Sequence, residues 1–209
     1  MPVRLGWYAR RIGKILYVVG LMYALGYGAI VLLPLHLKFW VGLVSLPPMK
    51  LLTVAVSSAL LLPVLDWMDG RLRLVPFSIL EWSVFRRNVN FVPMDYVWLR
   101  VPFLVLLYFN LPGLAWVEEM VFRHDWVIHA TSGWGDALWR SALFGVLHVA
   151  GGAKLRTALP LSVGGLWFSW QYMTGGIEAA TMAHLAMNTT GLTLMLLGWA
   201  RTGENPFTK

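Results

Sequence analysis

Two adjacent carboxylates follow an uncharged segment of this sequence. Glu118 and Glu119 come directly after residues 101–117, which include no charged side chain, and Arg123 lies four residues after Glu119. Residues four apart share one face of a helix, so Glu119 can pair with Arg123, whereas Glu118 is rotated by about 100° toward another neighbour. The spacing therefore predicts one neutralised glutamate and one free glutamate, which is the form that a general base requires.

Two further apolar segments carry histidines. In "LFGVLH", Phe144 and His148 stand four residues apart, and in "AHLAMN", His184 and Asn188 do the same. Each pair shares a helix face if its segment is helical. Ionisable groups inside membrane helices are costly and are functional by default, although a lone histidine, asparagine or Glu/Arg pair often has only a structural role. The joint pattern favours three helices that direct polar groups toward one site.

The depths of these groups can be compared along the chain. Glu118 and His148 are equally distant in sequence from Gly133, so a pair of antiparallel helices would bring them level. His184 lies closer to its own turn, at Gly175 and Gly176. The three groups meet at one depth if part of residues 124–136 forms a loop, and the Asp and Gly content of that stretch favours one.

The elements that must position these groups are membrane helices. Of 209 residues, 58% are hydrophobic and 13% are charged, and the mean hydropathy is +0.63. Such a composition indicates a polytopic membrane protein. The expected fold is all-α, a transmembrane bundle of about six helices in one integral membrane domain, residues 1–209. The six uncharged runs are residues 15–35, 51–65, 101–117, 141–153, 157–177 and 179–200.

The charges predict an orientation. The net charge is +7, and the basic residues gather at helix ends, which favours anionic lipid headgroups rather than nucleic acid as their counterpart. If six helices alternate across the cell membrane, both termini lie in the cytoplasm. The first run then acts as a signal anchor. Residues 75–88, "VPFSILEWSVFRRN", are expected to lie along the interface as an amphipathic segment. Cysteine is absent, which excludes disulfides and a cysteine nucleophile.

The three polar segments resemble a known family. "EEMVFR", "FGVLH" and "HLAMN" are similar, in order and spacing, to the EExxxR, FxxxH and HxxxN motifs of the CPBP family, the type II CAAX prenyl proteases and bacteriocin-processing (Abi) membrane proteins. The resemblance covers roughly residues 112–197, the expected catalytic core. One departure is His124, where members usually carry a small glycine after the arginine.

The resemblance implies an intramembrane endopeptidase of the glutamic type, with a catalytic cavity between the third, fourth and sixth helices. Glu118 is expected to be the general base, and His148 to hold and polarise the attacking water. His184 and Asn188 are expected to donate to the oxyanion. These roles agree with the chemistry of amide hydrolysis, which needs a proton acceptor and oxyanion donors.

Glu119 and Arg123 are expected to fix the helix and orient Glu118. No cofactor is expected, since Asn188 suits an oxyanion donor better than a zinc ligand. The alternative is a zinc ion, since two histidines and one carboxylate are a zinc ligand set. That site would consist of Glu118, His148 and His184.

The expected substrate is a membrane-anchored or lipidated protein or peptide. A prenylated protein, a bacteriocin and a C-terminal sorting signal all remain open as substrates. Two other functions also remain open. One is a catalytically silent immunity or scaffold protein, and the other is a transporter or proton relay, which would also use a buried glutamate with histidines. A cleavage assay discriminates between them.

Overall fold

A computed structural model describes residues 3–84, 89–124 and 130–204 of the chain. In these ranges the protein is helical and contains no β-strand, which confirms the all-α prediction. The α-helices are α1 (Val3–Val31), α2 (Leu33–Leu43), α3 (Pro48–Leu72), α4 (Arg100–Arg123), α5 (Trp134–Ala150) and α6 (Leu155–Thr202).

The connection from α3 to α4 consists of short 3₁₀ segments, Ser78–Glu81, Val89–Asp95 and Val97–Leu99. Hydrogen bonds from Lys154 and Arg156 hold Glu81 near the start of α6 and lower the pKa of its carboxyl group to about 2. Of the segment predicted to lie along the interface, residues 85–88 lie outside the described residues. The described part is mostly exposed, with 3₁₀ and turn conformations.

The first apolar run divides into two helices. Residues 15–35 were expected to form one element, but α1 ends at Val31 and α2 begins at Leu33. Pro34 lies in the first turn of α2, where a missing amide hydrogen costs nothing. Inside a continuous helix, its ring would clash with the carbonyl group four residues earlier.

The helix α6 is a hairpin. Its backbone leaves the helical conformation at Gly176, where φ is 76° and ψ is −172°, a region that glycine adopts and other residues avoid. Phe168 and His184 each lie eight residues from this bend, and their rings stack at a centroid distance of 4.6 Å. The two arms, residues 155–175 and 177–202, therefore run antiparallel, as the separate fifth and sixth apolar runs predicted.

The first arm of α6 packs antiparallel to α3. Three hydrogen bonds connect them along their length: Lys50 with Thr174, Ser58 with Trp167, and Asp69 with Arg156. The second arm packs antiparallel to α4, where Tyr108 contacts Thr193 and Arg100 lies over the ring of Trp199. The bundle thus has a tip end at Gly176 and a base end where α6 begins and finishes.

The helix α5 approaches the first arm of α6 unusually closely at Gly145. A Cβ atom on Gly145 would lie 2.2 Å from the carbonyl oxygen of Ala158, so no larger residue fits without moving a helix. This contact brings the face of α5 that carries Phe144 and His148 against α6. It sets the depth of both side chains relative to the hairpin.

Three helices of the described chain are long and apolar enough to cross a membrane. They are found at Arg10–Val31, Pro48–Leu72 and Val97–Arg123. Their exposed side chains are largely apolar, including Leu52, Leu60 and Val105. An apolar exterior of this kind suits a lipid environment. The protein is an integral membrane helical bundle.

Candidate active site

A buried ion pair lies at the centre of the site. The Nη1 atom of Arg123 donates to Oε1 of Glu119 at 3.1 Å, and neither side chain is exposed. The same Oε1 atom lies 2.7 Å from Nδ1 of His184. Glu119 therefore connects α4 to the second arm of α6, because one carboxylate holds both a guanidinium and an imidazole.

Arg123 also connects α4 to the first arm of α6. Its Nη2 atom donates to the carbonyl oxygen of Gly165 at 2.9 Å, and its Nε atom donates to the hydroxyl group of Ser169 at 3.3 Å. The guanidinium lies over the rings of Phe144 and Phe168, at 4.9 and 5.6 Å. A planar cation with several donors and two aromatic faces is fixed in one position by these contacts.

Glu118 is the unpaired glutamate of the site. Its Oε2 atom is buried without a hydrogen-bond partner among the described residues, and it lies 3.7 Å from Nε2 of His184, too far for a hydrogen bond. Its side chain is 39% exposed, whereas that of Glu119 is fully buried. The predicted division into a paired and a free glutamate agrees with this geometry. The predicted direction of Glu118 does not, because both carboxylates approach the same imidazole.

His148 lies beside this cluster, on α5. Its Nδ1 atom is 2.7 Å from the carbonyl oxygen of Phe144, which can only accept, so Nδ1 carries the proton. In the neutral ring Nε2 is then an acceptor. The ring packs on Phe144 at 4.4 Å, and Phe144 in turn contacts the ring of His184 at 5.7 Å. The phenyl ring thus contacts both histidines.

Asn188 lies one turn beyond His184 on the second arm of α6. His184 is 2% exposed, whereas Asn188 is exposed and forms no side-chain hydrogen bond with the described residues. Its amide group is therefore free to bind a ligand. Of the six predicted residues, Glu118, Glu119, Arg123 and His184 form a connected cluster. His148 contacts this cluster through Phe144, and Asn188 is exposed one turn beyond His184.

The predicted loop between α4 and α5 brings the motifs level. The helix α4 ends at Arg123, and α5 begins at Trp134. His124 has an extended backbone, and its ring contacts the hydroxyl group of Tyr172 at 2.9 Å. Residues 125–129 lie outside the described residues. Because the helix ends at Arg123, Glu118 reaches the depth of His184 although it lies further in sequence from Gly133 than His184 lies from Gly176.

Three residues that hold the site were missed by the sequence analysis. Phe168 stacks on His184 with its plane 15° away from parallel. Ser169 binds Arg123, and the fully buried Arg140 donates to the carbonyl oxygen of Phe122 at 3.1 Å. Arg140 immediately precedes an uncharged run and resembled an ordinary flanking charge. Its adjacency to a membrane helix was the available signal.

The arrangement was also compared with a metal site. Within the described ranges, no three His, Cys, Asp or Glu side chains are grouped so that they could hold a metal ion. His184 directs Nδ1 to Glu119, and Phe144 contacts the rings of both His184 and His148. The proposal below uses only the protein's own groups, and zinc at Glu118, His148 and His184 is the alternative.

A family model matches the part of the chain that contains this site. Residues 100–190 match the model described as "Type II CAAX prenyl endopeptidase Rce1-like". Over these residues the chain is similar to the type II CAAX proteases. The match includes all six predicted site residues and supports a protease, a hydrolase of peptide bonds. No curated protein and no solved structure matches the chain.

Proposed function

We propose that this CAAX protease relative is a glutamic-type endopeptidase that cleaves a membrane-associated protein or peptide, with Glu118 as the general base. The observation that supports this most directly is the unpaired Oε2 atom of Glu118 within 3.7 Å of His184, in an otherwise apolar bundle. A structural carboxylate at such a site would be expected to have a partner. A free carboxylate is available to take a proton from water.

The first chemical step is attack by water. Glu118 removes one proton from a water molecule whose other hydrogen is accepted by Nε2 of His148. The hydroxide oxygen forms a bond with the scissile carbonyl carbon, and the carbonyl oxygen becomes an oxyanion. The protonated Glu118 then gives its proton to the amide nitrogen as the carbon–nitrogen bond breaks, so the products are an acid and an amine.

The oxyanion is stabilised by His184 and Asn188. If Nδ1 of His184 donates to Glu119, Nε2 carries a proton only when the ring is an imidazolium. In that form the Nε2–H group of His184 is the first oxyanion donor. The amide group of Asn188, which is exposed one turn beyond His184, is the second donor.

The substrate reaches this site through the bilayer or its interface. The apolar exterior of the bundle favours a substrate that is itself membrane-anchored or lipidated. A silent immunity or scaffold protein would not need an unpaired glutamate beside the histidine. A proton relay would use the same groups but would release no peptide fragment.

A cleavage assay on a membrane-anchored peptide tests the proposal. Glu118→Gln and His148→Ala should each abolish cleavage, by at least ~10²-fold for the loss of the base, while expression in the membrane stays normal. Asn188→Ala should lower kcat on the order of 10²-fold with little change in KM, because its bond strengthens in the transition state. Near-normal turnover of Glu118→Gln would overturn the assignment.

A further inference from the structure

We propose that the groove between α3 and the first arm of α6 binds the headgroup of an anionic phospholipid. The groove contains a cavity of about 530 Å³. It lies near the tip end, because Lys50 and Thr174, which line it, are near the start of α3 and the bend at Gly176. None of the six proposed catalytic residues lines it.

The groove presents unused hydrogen-bond donors. Lys50 donates from Nζ to the carbonyl oxygen of Thr174 at 2.7 Å, which leaves two further N–H groups of the ammonium. Gln171 is only 5% exposed and lines the cavity, and its side-chain amide has no hydrogen bond with the described residues. A ligand that accepts hydrogen bonds can therefore bind both the Lys50 ammonium and the Gln171 amide.

The charge of the cavity selects an anion. The hydroxyl groups of Thr53 and Ser57 already donate to helix carbonyl oxygens, so they add no positive character. Lys50 is the only charged residue among the described residues that line the cavity. Glu178 does not line the cavity, and its side chain lies between Gly42 of α2 and Gly176 at the bend. A phosphate diester is the anionic acceptor that a membrane supplies at this depth.

The apolar part of the cavity suits the remainder of a lipid. Lys50 is the third residue of α3, so its ammonium lies at the boundary of the membrane span Pro48–Leu72. Trp170 is 39% exposed and packs on Trp167 at 4.8 Å, and indole rings favour the membrane interface. Val54 lies deeper along the same wall. A headgroup at Lys50 would therefore leave its acyl chains along the indoles.

The lipid groove and the proposed active site lie on different sides of one helix. Trp167 lines the groove, whereas the next residue, Phe168, stacks on His184. A variant at Lys50 or Gln171 therefore leaves the proposed catalytic groups in place. Lipid binding can be tested separately from proteolysis.

Thermal unfolding of the full chain in neutral detergent tests the site, with phosphatidylglycerol or phosphatidylcholine added. We expect phosphatidylglycerol to raise Tm more than phosphatidylcholine. Lys50→Gln should weaken the apparent affinity for phosphatidylglycerol, read from the rise in Tm, about five-fold. This is the size expected for one basic residue at a membrane surface. Lys50→Arg should retain this affinity, and Gln171→Leu should weaken it. The matched control is Lys38→Gln, because Lys38 is exposed and does not line the groove.

Several results would overturn the proposal. Equal stabilisation by the two lipids would contradict the charge selectivity. Equal losses of stabilisation by phosphatidylglycerol in Lys50→Gln and Lys38→Gln would show that the lipid does not bind in the groove. Protection by inorganic phosphate in place of lipid would indicate a soluble anion. Preferential binding of a peptide with a free carboxylate over its amidated form would indicate a peptide site. If Lys50→Gln does not fold, an unchanged lipid dependence in Gln171→Leu overturns the proposal.

Discussion

At the residue scale, the two glutamates differ in their partners. Glu119 accepts hydrogen bonds from both Arg123 and His184, whereas Glu118 has no hydrogen-bond partner at Oε2 among the described residues. The EExxxR spacing predicted the pairing of Glu119 with Arg123 because both lie on one helix. The contact of both glutamates with His184 joins residues about 65 positions apart, and no local spacing specifies it.

This difference predicts opposite effects on stability. Glu119→Gln removes the charge that compensates the buried Arg123, so the free energy of unfolding should fall by ~3–5 kcal/mol, the cost of breaking a buried ion pair. Glu118→Gln should change it by less than about 1 kcal/mol, since no hydrogen bond is lost. Denaturant unfolding of both variants in detergent measures the difference. Equal destabilisation would contradict the assignment of Glu119 as the structural partner.

The metal-free mechanism gives a second prediction at this scale. His148 and His184 both contact Phe144, and Asn188 offers an amide rather than a typical zinc ligand. We expect the purified enzyme to remain active after exhaustive chelation and to contain no stoichiometric zinc. The measurements are cleavage rate and elemental analysis. Activity that returns only with zinc, at one ion per chain bound by Glu118, His148 and His184, would replace this mechanism with a metal-dependent one.

At the element scale, the hairpin of α6 sets the position of His184. The sequence predicted two separate helices here from the glycines at 175 and 176, and the fold agrees. It did not predict the break after Val31, because the apolar run continues through it and only Pro34 marks it. Apolar runs identify helices well, whereas their ends depend on a single residue's backbone requirements.

The bend at Gly176 should be sensitive to substitution. Because its φ of 76° and ψ of −172° are strained for any other residue, Gly176→Ala should destabilise the protein by ~1–3 kcal/mol. It should also lower cleavage, since His184 would shift relative to Glu118. The matched control is Gly198→Ala on the second arm, where a Cβ atom meets nothing within 4 Å. An equal effect at both glycines would contradict the role of the bend.

At the scale of the whole molecule, charge is unevenly distributed between the two ends of the bundle. Asp69, Arg156 and Glu81 form an ion-pair network at the base end, where α3 finishes and α6 begins. At the tip end, Arg123 and Arg140 are buried and contribute to the site rather than to the surface. The basic residues of the base end include Arg10, Arg11, Lys14, Arg71, Arg73, Arg100, Lys154, Arg156 and Arg201.

This asymmetry predicts a cytoplasmic base end, because cytoplasmic loops carry the excess of lysine and arginine. The chain has no cysteine, so single introduced thiols report their location without background. Ser45→Cys lies between α2 and α3 at the tip end, and Thr202→Cys ends α6 at the base end. In intact cells, a membrane-impermeant maleimide should label Ser45→Cys and should label Thr202→Cys only after permeabilisation. The reverse pattern would show that the base end faces outward, and labelling of both thiols in intact cells would contradict the assignment of the two ends to opposite membrane faces.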